Sequence, residues 1–198
     1  MISALRADAF LERASTALEL HTRKATMRDI PPILALINGY ATKGIMLPRT
    51  EFEMSEAIRD FTVIESRGEF LGCGALHFYS PTMGEIRSLA VAEAAKSHGA
   101  GRRLVEALVA EAEIYELDAV FAFTYVVDFF NKVGFHVVER GVLPLKAWKD
   151  CLRCPKFHDC DEVAMLRVLQ SAHWEQAQPQ LWVSDTERYI QLPTPHRS

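Results

Sequence analysis

The amino-acid sequence predicts an α/β protein, a mixed sheet with helices on both faces. Three observations carry that expectation. Short apolar runs alternate with helical spacings between residues 23 and 140, a turn KSHGAG (96–101) hands the apolar run SLAV (88–91) to a helical pattern, and AVFAFT (119–124) reads as a fully buried strand.

Taken in order, RKATM (23–27) is expected as a short strand and IPPILALINGYATKG (30–44) as a helix entered through Asp29, with prolines in its first turn. LPRT (47–50) is a proline-marked loop, and EFEMSEAIRD (51–60) has helical apolar spacing. FTVIES (61–66), a turn at RGE and FLGCGALHFYS (70–80) read as a hairpin, followed by a strand at GEIRSLAV (84–91). After the glycine turn comes a helix, RRLVEALVAEAEIYEL (102–117), and beyond AVFAFT a short helix, VVDFFNKVG (126–134), stopped by Gly134. FHVVER (135–140) is expected as the last strand. Residues 1–22 and 170–198 fall outside this rhythm, so the expected organisation is an N-terminal extension (1–22), one domain (23–169) and a C-terminal extension (170–198).

Composition narrows the function classes. The 198 residues carry 22 basic and 26 acidic side chains, a net charge of −4, which is no footprint for nucleic acid or an anionic membrane. Any anion must therefore be caught by a local site. No apolar stretch approaches the roughly 20 residues of a membrane span, and the first residues carry acids instead of a long apolar core, so a cytoplasmic location is expected. Cys73 stands alone, while Cys151, Cys154 and Cys160 cluster with His158. Four soft ligands in ten residues could make a compact zinc site. Their spacing is tighter than paired knuckles, and reduced thiols beside the core are preferred, with no metal expected.

The glycine turn has a chemical reading. A strand-loop-helix junction aims backbone N–H groups and the positive helix end at one spot, which suits a phosphate or pyrophosphate, and Lys96, His98, Arg102 and Arg103 add positive charge there. The same glycines would also serve a plain strand-to-helix connection. The turn lacks G-x-G-x-x-G and G-K-[ST], so it is neither a dinucleotide nor a P-loop fingerprint.

EIRSLAV followed by K-S-H-G-A-G-R-R-L resembles the acetyl-coenzyme A motif of GNAT acetyltransferases, [QR]-x-x-G-x-[GA] after the fourth strand, with Lys96 in place of Gln or Arg. FFNKVGF (129–135) is similar to that family's F-Y-x-K-x-G-F segment. LPRT, GCGALHFYS (72–80) and 143–165 resemble the short, single-domain family of N-acetylglutamate synthases, in which the arginine-binding kinase-like domain of the longer form has no room.

The resemblance implies a GNAT fold and acetyl-CoA as co-substrate. It implies that the backbone around Leu89, Ala90 and Val91 pairs with the pantetheine, and that Lys96, Ser97, His98, Gly99, Ala100, Gly101 and Arg102 hold the pyrophosphate. Phe130, where the family often has a proton-donating tyrosine, is expected to pack against the coenzyme. The thiolate then leaves unassisted or takes its proton from Tyr125 or a water. Glu85 is the candidate base, although an ion pair with Arg87 or a neighbouring strand would explain it equally well. Alternation puts Glu85, Arg87 and Leu89 on one face of the strand.

Glutamate brings two carboxylates, and arginine forks match them. Arg49 and Arg87 are the expected clamps, with Leu47, Ser88 and Thr124 as wall or hydrogen-bonding positions and Lys43 a weaker candidate. The function implied is acetylation of L-glutamate at its α-amino group, the entry step of arginine biosynthesis. Acetylation of another small amine or a protein amino group, and a non-catalytic acetyl-CoA-binding module, are the alternatives. The expected partners are the small-molecule substrate and a second copy of the chain in a homodimer, with neither nucleic acid nor membrane.

Overall fold

A computed structural model of the chain describes residues 19–143, 154, 156, 159–171 and 174. Cys151, His158, the segment 144–150, residues 1–18 of the expected N-terminal extension and nearly all of the expected C-terminal one lie outside the described residues. The fold class is the one expected, a seven-stranded mixed sheet with helices. The chain divides into two compact units, one running to His77 and adding Glu85–Glu111, the other made of Phe78–Gly84 and the residues from Ala112 onward.

In the first unit β1 (His21–Lys24), β2 (Phe61–Ser66), β3 (Glu69–Phe78) and β4 (Met83–Val91) lie side by side in chain order. β1 and β2 pair antiparallel, as do β2 and β3, with a register shift between Ile64 and Glu65. Arg67 and Gly68 turn the β2–β3 hairpin with φ of 51° and 81°. Side chains alternate across these strands. Val63, Cys73 and Ala75 bury against Ile30, Ile33 and Ile37 of α1 (Ile30–Ala41) and Met54 of α2 (Glu51–Ala57). Ile64 and Leu71 bury against Ala100 and Leu104 of α3 (Ala100–Ile114). This unit therefore carries helices on both faces of its strands.

Local chemistry sets the helix ends. Pro31 and Pro32 open α1, where a missing N–H costs nothing. Asp29 precedes α1 but does not cap it. Its carboxylate accepts from the Thr26 N–H at 2.7 Å and from the Arg23 guanidinium at 2.9 Å, which anchors β1 to the turn before α1. α2 starts in a capping box: Thr50 Oγ1 accepts from the Glu53 N–H, and the Glu53 carboxylate accepts from the Thr50 N–H. Its helical run ends at Ala57, and Ile58–Asp60 tighten into a 3₁₀ turn.

In the second unit β5 (Ala119–Thr124) and β6 (His136–Val137) both pair antiparallel with β7 (Val163–Val168), which lies between them. Tyr79, Met83, Phe121, Leu143, Leu166 and Trp174 make its core. α4 (Val127–Lys132) ends at Gly134, whose φ of 87° is open to glycine. Two sequence expectations change here. The strand drawn over 135–140 shrinks to two exposed residues, because Arg140 leaves it for a 3₁₀ turn and donates to the carbonyls of Cys160 and Glu162. The last strand is instead VAMLRV, an apolar run visible in the sequence that was not assigned.

Candidate active site

β4 is where the first unit departs from regular structure. Ser88 has φ of 52°, a left-handed conformation that interrupts the pleat in mid-strand. Beyond it Leu89 and Val91 pack toward α3 while Ala90 is buried toward α1, so Leu89 and Ala90 lie on opposite faces as the alternation through GEIRSLAV expects. The facing residues of β3 are shaped to this interruption. A Cβ on Gly72 would lie 2.6 Å from the Ala90 carbonyl oxygen, and one on Gly74 would meet the side chains of Leu108 and Leu89 at 3.0 and 3.1 Å. Between them the Cys73 thiol, its pKa pushed up to about 12 by burial, donates to the Ser88 carbonyl at 3.8 Å.

Past β4, Glu93–Ala95 form a 3₁₀ turn and Ser97 and Gly99 take φ of 65° and 83° before α3 begins. Helix α3 starts two residues earlier than its sequence pattern, so Gly99 is the hinge and Gly101 lies within the first turn. The open space beside Gly99 means its role is backbone conformation, not clearance. Lys96, Ser97, His98 and Gly99 are exposed, Ala100 is buried, and Arg102 is exposed. Such a turn presents first-turn N–H groups with basic side chains around them. Lys96 donates to the Glu93 carboxylate at 2.6 Å and lies 5.3 Å from the centre of the Tyr40 ring.

At the other end of β4, Glu85 is 9% exposed, and its carboxylate lies 3.9 Å from the Arg87 guanidinium, itself mostly covered. Arg49 sits half-buried in the loop before α2, whose course is fixed by Asn38 of α1. That amide donates to the Arg49 carbonyl at 3.0 Å and accepts from the Arg49 N–H at 2.9 Å. Leu47 is half-buried in the same loop, while Lys43 is exposed and stands 5.5 Å from the Tyr40 ring. The first unit thus brings Glu85, Arg87, Ser88, Leu89, Ala90 and Val91 onto one strand and carries that strand directly into the 96–102 turn.

Thr124, Tyr125 and Phe130 belong to the second unit. Thr124 is buried at the end of β5, where its hydroxyl accepts from the Val126 N–H at 3.0 Å. Phe130 is 3% exposed, stacked edge-on against Phe129 and Phe135. Tyr125 is exposed and opens a shallow depression lined by Val126, Val127, Asp128, Phe129 and Lys132. Its hydroxyl takes a 3.3 Å bond from Lys156, whose ammonium also reaches Asp161. Desolvation raises the Tyr125 pKa, opposed in part by the Lys156 hydrogen bond, so the phenol stays protonated at neutral pH and keeps a proton to give. Among the described residues, no group of three or more His, Cys, Asp or Glu is placed to hold a metal ion.

Asn38, Tyr40 and Gly72 were not assigned from the sequence. Asn38 carried a signal, a lone amide inside the apolar helix run ILALINGY. Gly72 carried none, since its importance depends on where another strand's carbonyl lies.

An interrupted strand runs through a glycine turn into a long helix, and comparison with known proteins gives the family. Residues 37–135 match the Acetyltransferase (GNAT) family model. An uncharacterized N-acetyltransferase of Chlorobaculum tepidum is 40% identical over 77% of this chain and 99% of its own length. The amino-acid acetyltransferase of Mycobacterium tuberculosis is 38% identical over 66% of this chain and 76% of its own. Among solved structures, N-acetylglutamate synthase from Neisseria gonorrhoeae, complexed with coenzyme A and N-acetyl-glutamate, superposes with a TM-score of 0.70 at 29% identity, over 76% of this chain and 35% of that one. The chain belongs to the GNAT acetyltransferase family. It is an N-acetyltransferase with acetyl-CoA as its acyl donor.

Proposed function

We propose that this enzyme transfers the acetyl group of acetyl-CoA to the α-amino group of L-glutamate, the first committed step toward arginine. The observation that carries the acceptor is the pairing of Arg49 with its mount. The Asn38 amide grips both backbone groups of Arg49, so a guanidinium is offered from a fixed loop and not from a free surface chain. The resemblance to an amino-acid acetyltransferase and to a synthase complexed with N-acetyl-glutamate supports the same acceptor.

In this reading acetyl-CoA lies along Leu89, Ala90 and Val91, with its pyrophosphate at residues 96–102. The ammonium of glutamate gives its proton to Glu85, directly or through a water, and the free amine attacks the thioester carbonyl carbon. The C–S bond then breaks. The attacking nitrogen gives up its second proton to water while the departing thiolate leaves unassisted or takes a proton from water, giving N-acetylglutamate and coenzyme A. Phe130, packed edge-on against Phe129 and Phe135, has no ionisable proton to give and takes no part in the proton transfers. Arg49 and Arg87 compensate the two carboxylates of the acceptor, whose burial would otherwise be costly. Leu47 and Ser88 complete the acceptor's surroundings. The domain carrying this chemistry is taken as 23–169.

Thiol release measured against a panel of amino acids tests the acceptor, and Arg49 variants test its recognition. Arg49→Ala should cost about 2 to 5 kcal/mol in kcat/KM for glutamate while leaving acetyl-CoA affinity nearly unchanged. Arg49→Lys should recover only part, because an ammonium keeps the charge and loses the fork. An enzyme that ignores glutamate, or an Arg49→Ala variant as active as the parent, refutes the reading and leaves another amine as acceptor.

A further inference from the structure

We propose that Tyr40 and Gly72 are positioning residues for the acyl donor, fixing from two directions the stretch of β4 that follows the Ser88 interruption. The proposal rests on β4 as the donor-binding strand. The Tyr40 hydroxyl, at the end of α1, donates to the Val91 carbonyl at 2.7 Å, across fifty-one positions of sequence. Gly72 allows the Ala90 carbonyl to come so close that a methyl group could not fit: an added Cβ would stand 2.6 Å from that oxygen and 3.2 Å from the Val91 Cα. One step further, the Ala92 N–H donates to the Leu71 carbonyl at 2.8 Å. Two peptide planes are thereby pinned in succession, one by a side-chain hydrogen bond and one by an absent side chain.

The pinning matters because an interrupted strand has lost the regular ladder that would otherwise orient its peptides. A donor held by backbone groups needs those groups to point consistently. Tyr40 also links this stretch to the following turn, since its ring faces the Lys96 ammonium at 5.3 Å. Gly72 is buried between neighbouring strands, and φ there is not in the left-handed region, so clearance is its function and any L-residue would displace β4.

Two variants test the proposal. Tyr40→Phe keeps the ring beside Lys96 and removes the hydroxyl alone. It should weaken coenzyme A binding, read by calorimetry, about three- to tenfold, the ordinary worth of one neutral hydrogen bond, and raise the KM for acetyl-CoA without raising that for the acceptor. Gly72→Ala should weaken coenzyme A binding by more than Tyr40→Phe does. Should Gly72→Ala lose its cooperative thermal transition, Tyr40→Phe alone decides. If the parent binds coenzyme A and folded variants bind it equally well, the positioning roles are refuted while the donor site stands. A parent that fails to bind coenzyme A overturns the donor-strand reading and this proposal with it. A Tyr40→Phe variant whose loss falls on kcat and on the acceptor KM also refutes it.

Discussion

Glu85 and Arg87 form a nearly covered ion pair two residues apart on β4, and this closeness shapes what Glu85 can do. The pair holds the Glu85 carboxylate in place, so a purely structural role and a catalytic one predict different pH behaviour. If Glu85 takes the proton from the ammonium, Glu85→Gln should lower turnover by about a hundredfold at neutral pH. The deficit should narrow as pH rises, because more of the acceptor then arrives as free amine. A loss equal at all pH values, accompanied by a lower melting temperature, identifies the ion pair as structural. At this scale the sequence was informative for charged groups and silent for conformation. The placement of Glu85 and Arg87 on a strand and of Arg49 in a loop was legible in the sequence. The left-handed Ser88 was not, because that geometry is usually announced by glycine, and here the glycine that makes room sits on the neighbouring strand at position 72.

Single elements depend on their anchors, and β1 depends on Arg23 and Asp29. The guanidinium of Arg23 and the Thr26 N–H hold the Asp29 carboxyl down to about 2, against an ordinary value of 3.8. A carboxylate whose pKa is depressed on folding contributes stability in full above its unfolded value and loses it as pH falls through its folded value. The contribution of Asp29 is therefore present above about pH 4 and gone near pH 2. Arg23 is 43% exposed, so screening trims the gain to about 1 to 2 kcal/mol. Asp29→Asn should cost about that much in urea unfolding at pH 7, and the gap to the parent should close between about pH 4 and 2. A constant gap across that range would assign the loss to geometry instead of charge. Asp29 enters α1 at the N-cap position as expected, but its side chain makes no bond to the helix. Asp before Ile-Pro-Pro has the residue type of a cap, but the side chain turns back toward β1, and only a tertiary partner, Arg23, decides which way it points. β2 and β5 fall on the residues expected, because FTVIES and AVFAFT are short runs rich in β-branched and aromatic side chains. β6 is shorter than FHVVER suggests, because Arg140 leaves the strand and bonds backbone carbonyls twenty and more residues away, while β7 pairs with both β5 and β6.

Over the whole chain, a net charge of −4 offers no long-range attraction for an anion, so the proposed function assigns recognition to local basic groups, Lys96, Arg49 and Arg87. The cysteines are the other chain-wide question. Cys73 is buried and kept neutral, which removes it from metal binding and from thiol chemistry. Cys160 is half-buried, and its sulfur accepts from the Arg140 guanidinium at 3.3 Å while its carbonyl accepts from the same group. A sulfur oriented by arginine already has a structural task, and acetyl transfer to an amine needs no Lewis acid, because a thioester is an activated acyl group with a thiolate leaving group. Untagged protein purified without chelator should accordingly contain well under one zinc per chain by elemental analysis. Cys154→Ser, which removes a half-buried thiol from the same segment, should leave both metal content and the urea midpoint unchanged. One zinc per chain, lost together with stability in that variant, would instead make the cluster a structural metal centre whose binding energy contributes to folding.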